Sequence, residues 1–198
     1  MTRKIRRTPL VLGALLLGFA TAAPAAGLAI GATAPDFTLP SASDGRSVSL
    51  KELLAKSKAV AVLFIATRCP VSNAYNGRMA QLAKEFEAKG IAFVAINANR
   101  TEPAAEVAEH AKKHGFPFAV LKDEGNRVAD LYGAQKTPEV FLLDPEGKLV
   151  YHGRIDENQD DPAAVKSPDF RNALDAVLAG KPVPVAETKA FGCTIKRV

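Results

Sequence analysis

Ala59-Val60-Ala61-Val62-Leu63-Phe64-Ile65-Ala66-Thr67-Arg68-Cys69-Pro70-Val71-Ser72 sets the architecture of the whole chain. It opens as an unbroken apolar run of strand length, without polar alternation, as expected for a central strand covered on both faces. The run breaks at the polar, positively charged pair Thr67-Arg68. A cysteine comes next, then a proline, then a helical pattern. The sequence thus places a thiol just beyond a buried strand and at the start of a helix. Proline suits the first helical turn, and the unpaired N–H groups there favour a thiolate. A small cysteine that only packs would also fit. The Cys-Pro step at a strand-to-helix junction favours the reactive reading.

Working outward, Pro70 to Lys89 is predicted helical. Tyr75, Met79, Leu82, Ala83 and Phe86 recur at spacings of three and four on one face, and Gly90 supplies the stop. Ile91 to Ile96 reads as a second buried strand. Thr101 is placed to cap a helix running to His114. Phe116 to Leu121 is strand-like, and Arg127 to Tyr132 makes one or two helical turns. Thr137-Pro138 leads into a buried strand, Val140 to Leu143. The turn Asp144-Pro145-Glu146-Gly147 sends the chain back along Lys148 to Arg154. Ser167-Pro168 opens a last helix through Ala179, and residues 181–198 form a proline-containing tail. On the N-terminal side, Phe37-Thr38-Leu39 and Ser47-Val48-Ser49 flank a turn and suggest a hairpin before a short helix, Leu50 to Ala55. The order β-α-β-α-β-β-α, after an N-terminal extension, predicts an α/β fold with one mixed sheet and helices on both faces. Its first two long strands should be parallel and its last two antiparallel.

The chain has 198 residues, 47% hydrophobic and 24% charged, which suits one globular domain. Its formal charge of +5 falls to +1 once Arg3, Lys4, Arg6 and Arg7 are set aside. A near-neutral domain gives no reason to expect nucleic acid or an anionic membrane surface as partner. Those four cations head a segment, residues 1–26, that reads as an export signal. The apolar run Leu10 to Ala20 is too short to span a bilayer, and Ala23-Pro24-Ala25 supplies small residues for cleavage near Ala25 or Ala26. Arg6-Arg7 is a twin arginine, but the residues after it fit the twin-arginine export pattern poorly. The expected product is residues 27–198, periplasmic or secreted and free of the membrane after cleavage.

The two cysteines, Cys69 and Cys193, both lie in that product. An oxidising compartment permits a bridge between them, and a core of this size does not need one to fold. Such a bridge is therefore redox-active or a tether for the tail. His110 and His114 stand at i, i+4, a spacing able to hold a metal, but no third ligand is near in sequence and a solvated helix face is the plainer reading. His152 reads as a packed or exposed strand residue. No phosphate loop, Ser/His/Asp signature or dinucleotide fingerprint is present, so no metal and no cofactor are expected.

Three blocks carry a family resemblance. They are Phe64 to Tyr75 with Arg68-Cys69-Pro70-Val71; Tyr132 to Asp156 with Thr137-Pro138, Phe141-Leu142-Leu143-Asp144 and Gly147; and Gly180-Lys181-Pro182-Val183-Pro184 through Gly192-Cys193-Thr194-Ile195-Lys196. Over residues 30–198 the chain resembles the thioredoxin-like superfamily, and within it the exported redoxin or peroxiredoxin-like (AhpC/TSA-type) proteins. The resemblance implies that Cys69 is the nucleophile and that Pro138 is the cis-proline facing it. The backbone of Thr137 would then turn outward toward a peptide or mixed-disulfide partner. Two departures limit the carry-over. Ser72 stands where thioredoxin has its second cysteine, so the local dithiol cannot close; its hydroxyl is instead placed to hydrogen-bond the Cys69 thiolate. Ala66 stands where ordinary peroxiredoxins carry a peroxide-polarising threonine. Arg68, Arg78 and Arg154 are cationic substitutes for it, though solvated surface positions suit each better. Tyr75, one turn past Pro70, lies near the thiol or packs in the core. Cys193, on a flexible glycine-flanked tail, is the remaining thiol able to resolve a sulfenic acid or mixed disulfide, unless it is structural.

The resulting expectation is an exported thiol-disulfide oxidoreductase with Cys69 as nucleophile and Cys193 as resolving thiol. Its partners would be thiol or disulfide proteins. The alternatives are a thiol-dependent peroxidase acting on small peroxides and a non-catalytic binding module using the Cys69/Thr137-Pro138 face. Copper chaperoning is a minor option, because the cysteines are far apart in sequence.

Overall fold

The computed structural model describes Met1 and residues 27–198; the export-signal reading falls on residues 2–26, outside the described residues. In chain order the elements are β1 (Thr38–Pro40), β2 (Ser47–Ser49), α1 (Leu50–Lys56), β3 (Ala59–Phe64), α2 (Pro70–Ala74), α3 (Asn76–Glu87), β4 (Ile91–Asn97), α4 (Ala104–Lys113), β5 (Ala119–Lys122), α5 (Arg127–Tyr132), β6 (Lys136–Thr137), β7 (Glu139–Leu143), β8 (Leu149–Gly153), a 3-10 turn (Pro162–Ala164), α6 (Asp169–Leu178) and β9 (Cys193–Thr194). The apolar run ahead of Cys69 becomes β3, the middle of a five-stranded sheet ordered β5-β4-β3-β7-β8. As expected, β3 and β4 are parallel and β7 and β8 antiparallel; β7 also pairs antiparallel with β3. The anticipated N-terminal hairpin forms as β1 and β2.

Because side chains alternate across a strand, β3 feeds two cores. Ala59, Ala61 and Leu63 join Met79, Phe86 and Phe170 on the α3/α6 side. Val60, Val62 and Phe64 join Leu50, Val128 and Tyr132 on the α1/α5 side. Every residue of β3 is buried, and each large apolar side chain so covered contributes about 1.5–3 kcal/mol. A mixed sheet with helices on both faces is the thioredoxin-like arrangement. Among the described residues no helix is long and apolar enough to cross a membrane.

Four local expectations are corrected. The helix after Cys69 is not continuous: Tyr75 takes φ −92° and ψ −6° between α2 and α3, and its hydroxyl is held on Asp156. The helix expected from Thr101 begins at Ala104, because the residue before a proline is biased away from helix and Pro103 is extended. The strand expected from Phe116 begins at Ala119; Phe116 and Phe118 stack on each other instead. The tail is not loose. Ala186 and Thr188 pair with His152 on β8, β9 pairs with β6, and Arg100 N–H donates to Lys196 C=O.

Candidate functional site

Cys69 caps the N-terminus of α2 and is 3% exposed. The Ser72 amide N–H donates to its Sγ at 3.3 Å. On the other side, Sγ lies 3.3 Å from the Thr137 carbonyl oxygen. The Thr137-Pro138 peptide bond is cis. Cys193 meets Cys69 from the tail and the two form a disulfide, with Cα atoms 5.8 Å apart across 124 residues of sequence. Thr137 stands opposite Cys193 in the β6–β9 ladder, and its hydroxyl donates to the Cys193 carbonyl at 3.4 Å. Cys69, Thr137, Pro138 and Cys193, which the sequence spreads over more than half the chain, therefore converge. The two cysteines border a cleft of about 280 Å³ that also touches Ala66, Asn99 and Glu102.

The other expected residues serve differently. The Ser72 hydroxyl accepts from Ala66 N–H at 3.2 Å, so the bond to sulfur comes from the Ser72 backbone amide. Arg68 reaches away from the sulfur to Glu106, with Nε at 2.9 Å from Oε1 and Nη2 on Oε2. Tyr75 is a core residue: its hydroxyl donates to Asp156, its ring meets Phe191 edge-on, and burial pushes its ionisation well above the ordinary range. Arg78 is not solvated. It donates to both Asp156 oxygens at 2.7 Å and lies 4.1 Å over the Tyr75 ring. Arg154 is paired with Asp169 at 2.7 Å. His110 binds Asn73 at 2.9 Å, and among the described residues no group of three metal-type ligands is found.

Two carboxylates were not legible as site residues. Glu102, 3% exposed, accepts from Thr67 N–H at 2.9 Å and Arg68 N–H at 3.1 Å, fixing the backbone just ahead of Cys69. It also accepts from the Asn97 amide at 2.5 Å, while Lys122 donates to Asn97 Oδ1 at 2.9 Å. Burial pushes the Glu102 carboxyl up, but the bonds from Thr67, Asn97 and Arg68 outweigh it and hold the carboxyl below its ordinary value. Burial pulls the Lys122 ammonium down. At the start of β7, Glu139 accepts from the Gln135 and Lys136 amides at 2.7 Å each, which sets the course of β6. His152 bonds the second Glu139 oxygen at 2.7 Å. Burial lowers the His152 imidazole, yet Glu139 and Glu187 together raise it above its ordinary value. A proline shortly after a strand signals only that a helix start is delayed, and nothing in one sequence says that Glu102 turns back to the Cys69 loop.

The sequence and the fold are similar to those of known proteins. The AhpC/TSA family model matches residues 30–152. The thiol-disulfide oxidoreductase ResA of Bacillus subtilis is 33% identical over 120 residues, which is 61% of this chain and 64% of that protein, so less than two thirds of its length is matched. A hypothetical protein from Sinorhizobium meliloti superposes with a TM-score of 0.80 at 37% identity, covering 87% of this chain and 97% of the other. A candidate thiol:disulfide interchange protein, DsbE, from Chlorobium tepidum gives 0.63 at 26% identity, covering 77% and 99%.

Proposed function

The chain belongs to the AhpC/TSA family, and from that premise and the bridged cysteine pair we propose that it is an exported thiol-disulfide oxidoreductase. Cys69 is the attacking thiol and Cys193 the resolving one. The observation that carries this reading is the Cys69–Cys193 disulfide, formed where the Ser72 amide points at Sγ of Cys69. An amide aimed at sulfur favours its anionic, nucleophilic form. In the reduced protein the Cys69 thiolate attacks one sulfur of a substrate disulfide. A new S–S bond forms to Cys69, the substrate's own S–S bond breaks, and the departing half leaves as a thiolate with the electron pair. The Cys193 thiolate then attacks Sγ of Cys69 and expels the second half as a thiolate. The substrate gains two electrons and the protein returns to the bridged state. The two thiols complete this chemistry without a metal or cofactor. The name of the Bacillus subtilis relative supports thiol or disulfide proteins as partners, and a persistent bridge suits an oxidising compartment.

A peroxidase would need a donor free to polarise peroxide beside Cys69. Ala66 offers none, the Thr67 hydroxyl is committed to Glu106, and Arg68, Arg78 and Arg154 are each paired with a carboxylate. The deciding experiment compares disulfide turnover on insulin with thiol-dependent peroxide consumption. Turnover of insulin that is lost in Cys69→Ser supports the proposal. Fast peroxide consumption without insulin turnover replaces it with a peroxidase, and silence in both assays with a binding module. Intact mass of the protein recovered from an exporting host tests cleavage near Ala25 or Ala26.

A further inference from the structure

The tail does more than deliver a thiol. β9 lies antiparallel on β6, with Thr137 opposite Cys193 and Lys136 opposite Thr194. Beyond it, Ile195 is 4% exposed within the apolar cluster that holds Val128, Tyr132 and Ala134. Lys196 N–H donates to Asn99 Oδ1 at 2.6 Å, and Val198 N–H to Asn126 Oδ1 at 2.9 Å. The chain is cleared to admit the tail at two points. A Cβ on Gly192 would lie 2.1 Å from the Thr137 carbonyl oxygen, and one on Gly153 would lie 2.1 Å from the Thr188 hydroxyl. Residues 192–198 thus sit as an extended peptide in a seat built for a small residue, a cysteine at the attacking sulfur, and an aliphatic side chain two places on.

We propose that this seat is the substrate site, that the tail is its resident occupant in the oxidised protein, and that its external ligand is an extended peptide disulfide of pattern small-Cys-x-aliphatic. This rests on the exchange reading of the Cys69–Cys193 pair. It adds a constraint to that chemistry: substrate strand and resolving strand claim the same edge of β6. The Cys69 thiolate attacks the cysteine sulfur of the seated peptide; the Cys69–peptide bond forms and the peptide's former partner leaves as a thiolate. For Cys193 to attack Sγ of Cys69 and release the peptide thiolate, the tail must displace the peptide from Thr137. The bridged protein therefore excludes substrate until an external dithiol reduces it, oxidised in turn to its own disulfide.

The test uses a synthetic peptide of residues 190–198 carrying glutathione on its cysteine, its Ile195→Asp and Gly192→Val versions, and glutathione disulfide alone. Each is mixed with the reduced protein, and acid-quenched adducts are mapped by mass. The parent peptide is expected to oxidise the protein at least tenfold faster than either altered peptide. The Ile195→Asp protein, whose own tail is loosened, is expected to react with the parent peptide faster than the unaltered protein does. Equal rates for all three peptides on both proteins overturn the shared seat while leaving exchange standing. No reaction with any probe, glutathione disulfide included, overturns the exchange reading and the seat with it.

Discussion

Gly192→Ala isolates the docked tail from the chemistry it serves. Gly192 has φ +134°, and a Cβ there would lie 2.1 Å from the Thr137 oxygen and 3.0 Å from its carbon. Those are backbone atoms of β6, tied through Glu139 to the sheet, so the tail must move instead of the wall. Backbone strain at such a φ costs about 1–3 kcal/mol, and ladder hydrogen bonds given up in relief contribute about 1 kcal/mol each. A net loss of about 2–3 kcal/mol lowers the effective concentration of Cys193 at Cys69 by about 30- to 150-fold. For a two-electron couple about 1.4 kcal/mol corresponds to 30 mV, so the Cys69–Cys193 couple should become easier to reduce by about 40–65 mV. Equilibration in dithiothreitol buffers, with alkylated species counted by mass, reads this directly. Gly180→Ala is the control: its φ is +64° but nothing lies within 4 Å of the added carbon. It should leave the potential unchanged. A Gly192→Ala potential equal to that of the unaltered protein, or a Gly180→Ala shift as large, would refute the claim that tail docking sets the stability of the bridge.

Three further outcomes rest on the charged contacts described above. Glu102→Gln weakens charge-assisted bonds to Thr67 and Arg68, so stability at neutral pH should fall by about 1–3 kcal/mol in a denaturant titration. Because the folded Glu102 carboxyl is depressed, its contribution is present above the unfolded value and lost as pH falls through the folded one. The gap between variant and parent should therefore close on acidification. His152 has the opposite sign: its raised folded value makes its contribution complete below the unfolded value and lost as pH rises through the folded one. The melting temperature of the parent should therefore fall relative to His152→Gln as pH rises through the folded His152 value, and parallel curves would refute the role of the Glu139–His152–Glu187 contact. Arg78→Leu leaves Asp156, 4% exposed, without its cation. That change should cost about 3–5 kcal/mol, read as an early denaturation midpoint.

The sheet was legible because its strands obey simple periodicities. The unbroken run Ala59 to Ile65 could only be covered on both faces, and the Pro-Glu-Gly turn after Leu143 dictated an antiparallel return. The position of Cys69 at a helix N-terminus was legible too, since a Cys-Pro step closes the strand. The parts that stayed hidden depend on tertiary direction. A single sequence shows that Gly192 flanks Cys193 and invites a reading of flexibility; in the fold that glycine permits close approach to Thr137. Arg78 looked like one of several surface cations, yet its guanidinium is buried on a carboxylate that arrives from a loop 78 residues away. Ser72 was placed correctly beside Cys69, but which of its groups faces sulfur depends on Ala66 N–H claiming the hydroxyl. Glu102 and Glu139 each spend a carboxylate on backbone amides of a neighbouring loop, a use that no spacing rule records.

The order in which the two sulfurs engage a substrate decides whether Cys69 attacks and Cys193 resolves. Reduced protein is mixed with a disulfide substrate, quenched in acid at successive times, and its adducts are mapped to individual cysteines. Substrate is expected on Cys69 first, then its loss as the Cys69–Cys193 bridge appears. Cys193→Ser should hold a stable Cys69 adduct, and Cys69→Ser should hold none. First capture of substrate on Cys193, or a bridge that forms with no Cys69 adduct before it while Cys193→Ser accumulates none, would contradict those roles.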